Sequence, residues 1–460
     1  MFWGQNCLQK DLNKKLVKNA VIISAGGFIS KLLGAFYRIP LTNMLGSVGL
    51  GLYQMVFPVY CILLDFAGAG LPCGLSKLIS SNVGEGAEEK NLKLLKTAIK
   101  FMSIIGILGS FLMFLFAKPI STLQGNSSAY LPYVALAPAV FFVAIISCYR
   151  GYFQGKQNML PTALSQIVEQ VIKLAFGLIL VGLFSGSAVK GATGATFAVS
   201  LSEAVALIVI VFLFKKQKSK STTVCKGEIL SYGKSIFKIC LPVTLTSVLL
   251  PFSHTVDSFL IINMLGKYTQ NATSLYGLLS GGVMSVIGLP VSLCYGLAVS
   301  ALPMISKSSA ENDGEESVSS AIGLTALFAG IMALFCYFFN GLIIKILFFG
   351  LGVEEKIITA KLLKITSVSI FFLSLLQTTN SVLVGKNKPY IPVISLSIGI
   401  AIKILFEVLL LPNPNYNIYG AGFSSNLCYF VAVFINLLYI IKVCGKFTVK
   451  HTVKRSNYDA

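Results

Sequence analysis

Apolar residues in this chain run in blocks of membrane-crossing length, separated by short polar stretches. The blocks fall at 17–38, 50–73, 98–118, 130–150, 160–185, 191–214, 239–265, 273–304, 319–349, 362–384, 389–411 and 418–441. A helix rising about 1.5 Å per residue needs roughly 20 such residues to cross the hydrocarbon core of a bilayer. The pattern therefore predicts an all-α polytopic membrane protein with twelve transmembrane helices. In the ninth block Asn340 and Gly341 interrupt the run, so its last part reads either as the end of one helix or as a separate short interfacial helix.

Composition agrees: 55% of residues are hydrophobic, 12% are charged and the mean hydropathy is +0.80. The short connections leave no room for a large soluble domain. A formal charge of +20 would point to nucleic acid in a soluble protein, but its distribution is a topology signal. With the N-terminus inside, 26 of the 37 Lys and Arg fall on the cytoplasmic side and eight outside, as the positive-inside rule requires. Nucleic acid is thus not an expected partner, and both termini are expected in the cytoplasm, with the chain in the plasma membrane. Lys31 interrupts the first block, and no small-residue cleavage site precedes a polar mature domain, so that block reads as a helix rather than a cleaved leader. The ten cysteines show no metal-ligand spacing and read as small hydrophobes. No metal or cofactor is expected.

The chain also repeats itself. Asn43-Met44-Leu45-Gly46 recurs as Asn263-Met264-Leu265-Gly266, Phe141-Phe142 as Phe371-Phe372, Gly155-Lys156 as Gly385-Lys386, and Ile172-Lys173 as Ile402-Lys403. Shared order makes these matches meaningful together. They divide the chain into an N-terminal six-helix lobe (1–214), a basic linker (215–238), a C-terminal six-helix lobe (239–441) and a basic tail (442–460). Six crossings per repeat give the lobes the same orientation, related by a pseudo-twofold axis along the membrane normal, which is a transporter architecture. The lysines of the linker read as a solvated connection, with contact to anionic membrane lipids as the functional alternative.

Charged groups inside apolar blocks are costly and mark pathways. Gly27, Lys31, Gly34 and Arg38 follow at steps of four, three and four, so they share one helical face. Two cations on a face otherwise reduced to glycine describe a groove for an anionic group. The alternative is that Arg38 snorkels to the interface and Lys31 pairs with a neighbouring acid. Asp257 in the seventh block should lie at a depth similar to Arg38, so the two are candidates for a gate that pairs when the external side closes. His254 beside it reads equally as a packing histidine or a proton relay. Glu169 with Lys173, and Lys403 with Glu407, are spaced to pair within their own helices. Asp65 and Glu203 have no partner nearby in sequence and are candidates for coupling a proton or sodium ion. Pro58 and Pro290, with neighbouring glycines, are candidate bending points. No catalytic motif appears, and the chain has only two histidines, His254 and His451. A membrane enzyme of saccharide assembly is accordingly the weakest functional class.

Two runs carry a family resemblance. The first is Ser24-Ala25-Gly26-Gly27-Phe28-Ile29-Ser30-Lys31-Leu32-Leu33-Gly34-Ala35-Phe36-Tyr37-Arg38-Ile39-Pro40-Leu41, continuing through Gly49-Leu50-Gly51-Leu52-Tyr53-Gln54-Met55. The second is Tyr149-Arg150-Gly151-Tyr152-Phe153-Gln154-Gly155-Lys156-Gln157-Asn158-Met159, followed by Pro161-Thr162-Ala163, Gln166 and Glu169-Gln170. Together they resemble the stage V sporulation protein B and polysaccharide exporter family of the multidrug/oligosaccharidyl-lipid/polysaccharide superfamily. That resemblance implies a MATE-like fold whose lobes rock around a central cavity. It also implies export of a lipid-linked oligosaccharide, a polyprenyl-diphosphate-linked cell-wall or spore-cortex peptidoglycan precursor or another polysaccharide unit. Arg38 matches the family's first-helix arginine, which meets the diphosphate. A drug or organic-cation antiporter of the same fold is the alternative; the basic stripe disfavours it.

The topology is directly testable. Reporter fusions or cysteine accessibility should place both termini and residues 215–238 in the cytoplasm; an external 215–238 loop would reverse every later helix.

Overall fold

A computed structural model describes residues 2–82, 87–184, 186–216, 226–294, 314–386 and 388–444. The side chains of 2–28, 31, 32, 35, 67, 69, 226–243, 245, 246, 314–317, 443 and 444 are outside the described set. The side chains of Gly27 and Lys31, residues 217–225 of the linker and the tail beyond 444 therefore lie outside the description.

The described chain is a bundle of α-helices. Helix α1 (Phe2–Leu64) is two rods joined at Gly46, whose φ of 64° and ψ of −178° break the helix. Only glycine takes that conformation without strain. A π turn (Asp65–Ala69) leads into α2 (Leu71–Ser81). Then follow α3 (Ala87–Leu115), the short α4 (Ala117–Leu123), α5 (Tyr130–Gly155), α6 (Leu160–Leu183) and α7 (Ala188–Lys215). The second half comprises α8 (Lys226–Leu265), α9 (Ala272–Gly277), a second π turn (Leu278–Val283), α10 (284–294), α11 (Gly314–Phe338), α12 (Asn340–Leu347), α13 (Val353–Gly385), α14 (Tyr390–Leu410) and α15 (Tyr419–Cys444).

Eleven helices among the described residues are long and apolar enough to span a membrane. They match the second to twelfth predicted blocks; the first block, 17–38, falls largely on undescribed side chains. The break at Asn340 is real, because α11 ends at Phe338 and α12 is separate. Within α1 the backbone leaves helical angles at Gly46, while Pro40 and Pro58 lie inside the helix. Side chains such as Ile104, Ile107, Phe111 and Phe114 on α3 stay exposed, as helices bathed in lipid require.

Packing sorts the helices into two groups: α5, α6 and α7 pack on α1 and α3 packs on α5, while α11 and α15 pack on α13 and α14 packs on α15 and α8, with α8 also lying against α1. The short turns near 46, 125, 266 and 350 share one end of the bundle, the far end. Small residues bring the groups into close contact toward the far end. A Cβ on Gly51 would lie 2.1 Å from the Thr273 carbonyl oxygen, and one on Gly277 would lie 2.5 Å from the Gly51 nitrogen. The Tyr276 hydroxyl also donates to the Gln54 carbonyl at 3.2 Å.

Backbone cannot yield as a flexible side chain does, so Gly51→Ala should cost about 1–3 kcal/mol. Thermal unfolding of the purified protein should show a lowered midpoint, and an unchanged midpoint would mean that the two helices have room to part.

Candidate functional site: a cationic cavity and a sealed ion cluster

A cavity of about 450 Å³ opens between α1, α5, α6 and α10. Its charged lining is Arg38 from α1, Arg150 from α5, and Glu169 and Lys173 from α6. Three cations therefore face one carboxylate. Gly34 stands in the same wall, where a Cβ would come within 3.3 Å of Gln170 Oε1, so the missing side chain lets α1 approach α6. Tyr37, Tyr53 and Phe57 add aromatic surface, and the α10 side contributes Ser285, Gly288 and Ser292.

The pairing differs from the local one expected. Glu169 does not take Lys173 as its ion-pair partner; its Oε2 accepts from Arg150 Nη2 at 3.0 Å, and its Oε1 accepts from Gln170 Nε2 at 2.9 Å. Arg150 Nε also donates to Ser165 Oγ at 3.1 Å. A guanidinium can hold several acceptors in its plane, so Arg150 outcompetes the flexible ammonium. Lys173 is left facing the cavity, in the same lining as Arg38. Asp65 opens the π turn and is half-buried. Glu203 is buried behind this wall, close to Tyr60.

The second cluster is sealed inside the C-terminal half. Lys403 Nζ lies 2.5 Å from Asp257 Oδ2, 3.3 Å from Ser253 Oγ and 4.0 Å from Glu407 Oε1. His254 Nδ1 is 3.4 Å from the same Asp257 oxygen. Side-chain exposure falls from 40% at His254 to 11% at Asp257, 3% at Lys403 and 0% at Glu407. Asp257 thus belongs to Lys403, not to Arg38. The gate expected between Arg38 and Asp257 is not formed even though the far end is tightly packed, because a buried lysine on α14 already neutralises the acid.

Sequence reasoning met Arg150 only as part of a motif. Its closeness to Glu169 across two helices was not readable from spacing. Ser285 and Ser292 carried no signal at all. Among the described residues no group of three or more His, Cys, Asp or Glu stands together as a metal site.

The family model described as polysaccharide biosynthesis protein matches residues 16–309, more than half of the chain. The chain belongs to the polysaccharide biosynthesis protein family. Within it, the chain is 26% identical to the lipid II flippase MurJ of Bacillus subtilis, covering 96% of this chain and 86% of MurJ. It is also 26% identical to stage V sporulation protein B of the same organism, covering 89% and 80%. Among solved structures it superposes on an inward-facing MATE multidrug transporter with a TM-score of 0.77 at 16% identity, covering 90% and 94% of the two chains. A lipid II flippase MurJ structure in an inward closed conformation gives 0.72 at 17%, covering 91% and 87%. The fold of this family member is therefore that of the multidrug/oligosaccharidyl-lipid/polysaccharide transporters.

The sealed cluster yields a stability prediction. Lys403→Met would leave two buried carboxylates without their cation, so it should cost about 3–5 kcal/mol. Adding Glu407→Gln should recover part of that loss. Thermal unfolding of the three proteins checks the order; an unaffected Lys403→Met would mean that the pair is not desolvated.

Proposed function

We propose that this chain is a flippase that moves a polyprenyl-diphosphate-linked saccharide across the plasma membrane, with the terminus-bearing end in the cytoplasm. The carrying observation is the cavity wall: Arg38, Arg150 and Lys173 against the single carboxylate of Glu169, within the membrane-spanning bundle. Cations at that depth are costly unless they face water or an anion. A diphosphate offers two groups that arginine forks bind with strong charge-assisted bonds. Lys31, on the helical face of Gly27, Gly34 and Arg38, is placed by its spacing to join them. Tyr37, Tyr53, Gln166 and the serines of α10 provide stacking faces and hydrogen-bond partners of the kind that sugars use.

Transport then follows from alternating access. The lobes 1–214 and 239–441 rock about the cavity, 215–238 connects them, and the lipid tail of the substrate stays among membrane lipids. A lipid-linked saccharide needs no chemical change during this step, so the chain acts as a carrier and not an enzyme. Asp65 and Glu203, with Asp257 and its neighbour His254, are the groups through which a proton or sodium ion would couple to the cycle. The organic-cation antiporter reading fits less well, because the lining would repel its substrate.

A leaflet-resolved assay of labelled lipid-linked precursor in vesicles containing the purified protein tests the reading. Arg38→Lys keeps the charge and loses the bidentate fork, so flipping should fall about tenfold, one strong hydrogen bond's worth. Full activity in Arg38→Ala would remove the arginine from substrate binding.

A further inference from the structure

The repeated Asn-Met-Leu-Gly sequence is not used by the cavity or the ion cluster, yet the structure gives both copies the same job. Each asparagine sits in the last turn of its helix, three residues before the glycine that ends it. Asn43 Nδ2 donates to the Ile39 carbonyl at 3.1 Å, and Asn263 Nδ2 to the Phe259 carbonyl at 2.8 Å, each four residues back. Each amide group then reaches into the other half of the molecule. Asn43 Nδ2 donates to the Leu347 carbonyl at 2.9 Å, and Asn43 Oδ1 accepts from the Gly350 nitrogen at 2.9 Å. Asn263 Nδ2 donates to the Leu123 carbonyl at 2.8 Å, while its Oδ1 lies 3.2 Å from where a Cβ on Gly125 would stand.

The targets match as well as the donors do. Leu347 is the last residue of α12 and Leu123 the last of α4, the two short helices that follow α11 and α3. A glycine lies just beyond each, and a Cβ on Gly350 would be 2.5 Å from the Asn43 carbonyl oxygen. So the asparagine of each half clasps the C-terminal carbonyl of a short helix in the other, where helix-end carbonyls lack partners of their own. Asparagine suits the position because its carboxamide donates and accepts at once without carrying charge.

We infer that Asn43 and Asn263 are a reciprocal pair of latches that hold the far end shut and set how readily the molecule opens there. This rests on the alternating-access reading of the previous section, and it replaces Arg38 and Asp257 as the gate. The latches close on backbone and are neutral, so opening exposes no bare charge. Water can satisfy every group that is released, which makes each latch weak enough to break in every cycle. Two weak latches at opposite sides of the pseudo-twofold require the whole far end to part together, while either alone would act as a hinge.

The test measures the gate without transport. Spectroscopic labels at exposed Ser127 and Glu354, in a protein whose native cysteines are replaced, report the distance between the halves at the far end. Wild-type protein should show mainly the short distance. Asn43→Ala and Asn263→Ala should each raise the open-to-closed ratio about five- to tenfold, and together by about the product. An unchanged distribution in the folded double variant overturns the inference, and a response to only one asparagine overturns the reciprocal pair. If Asn43→Ala does not fold, Gly350→Ala wedges the same joint from the other side and should give the same opening. Because no substrate is present, a latch that behaves as expected in a protein that does not flip lipid-linked saccharide would sink the functional reading and leave the latches standing.

Discussion

The cost of holding a charge away from water governs this molecule. Its membrane-spanning helices carry few charged groups, and its two clusters meet that cost in different ways. Arg38, Arg150 and Lys173 face a cavity, where water or an anion supplies solvation. Lys403, Asp257 and Glu407 have no such access and neutralise one another within hydrogen-bond and ion-pair distance. A buried pair adds little net stability, because desolvation cancels much of the attraction, but breaking it is expensive. The cluster therefore fixes the register of α14 against α8 more than it strengthens the fold.

A second constraint is that the two halves must touch closely at one end and still be able to part. Among the residues described, contacts between the halves toward the far end include small and polar residues beside a shared apolar core: Gly51 against Thr273, Asn126 donating to Thr273 at 2.9 Å, Gln124 donating to Ser258 at 2.8 Å, with Tyr276 and Phe348 buried in that core. Lipid offers no hydrophobic reward for helix association, so close backbone approach and modest hydrogen bonds set the strength of such a joint. Those bonds are exchangeable with water when the joint opens.

How much of this the sequence showed depends on the range of each interaction. Span positions were legible because hydrophobic thickness imposes a block length, and even the break at Asn340 was visible as a polar interruption. Glycine 46 was not singled out as the break in α1, since a positive φ leaves no mark beyond the residue type. The charged residues of the site were nearly all legible as misfits in apolar blocks. Their partners were not: Glu169 finds Arg150 on another helix, and Asp257 finds Lys403 146 positions away. Helical spacing predicts only neighbours on one rod, whereas tertiary packing chose a guanidinium for one acid and a buried ammonium for the other.

The internal repeat turns these choices into an argument about how one fold divides its labour. Lys173 and Lys403 occupy corresponding places, each following an isoleucine in a matching helix. In the N-terminal half the local acid Glu169 is taken up by Arg150, so Lys173 remains at the cavity wall and adds to its positive field. In the C-terminal half Asp257 on α8 takes up Lys403 and draws it out of reach of solvent. The same residue at equivalent positions thus serves as an anion attractor in one half and a structural counter-ion in the other. What separates these fates is the charge on the neighbouring helix: α1 carries Arg38 five residues before Asn43, whereas α8 carries Asp257 six residues before Asn263. Putting cations on both helices of one half would leave them mutually repelled without a substrate, and the open cavity, through which water and anions reach them, is what makes that arrangement tolerable.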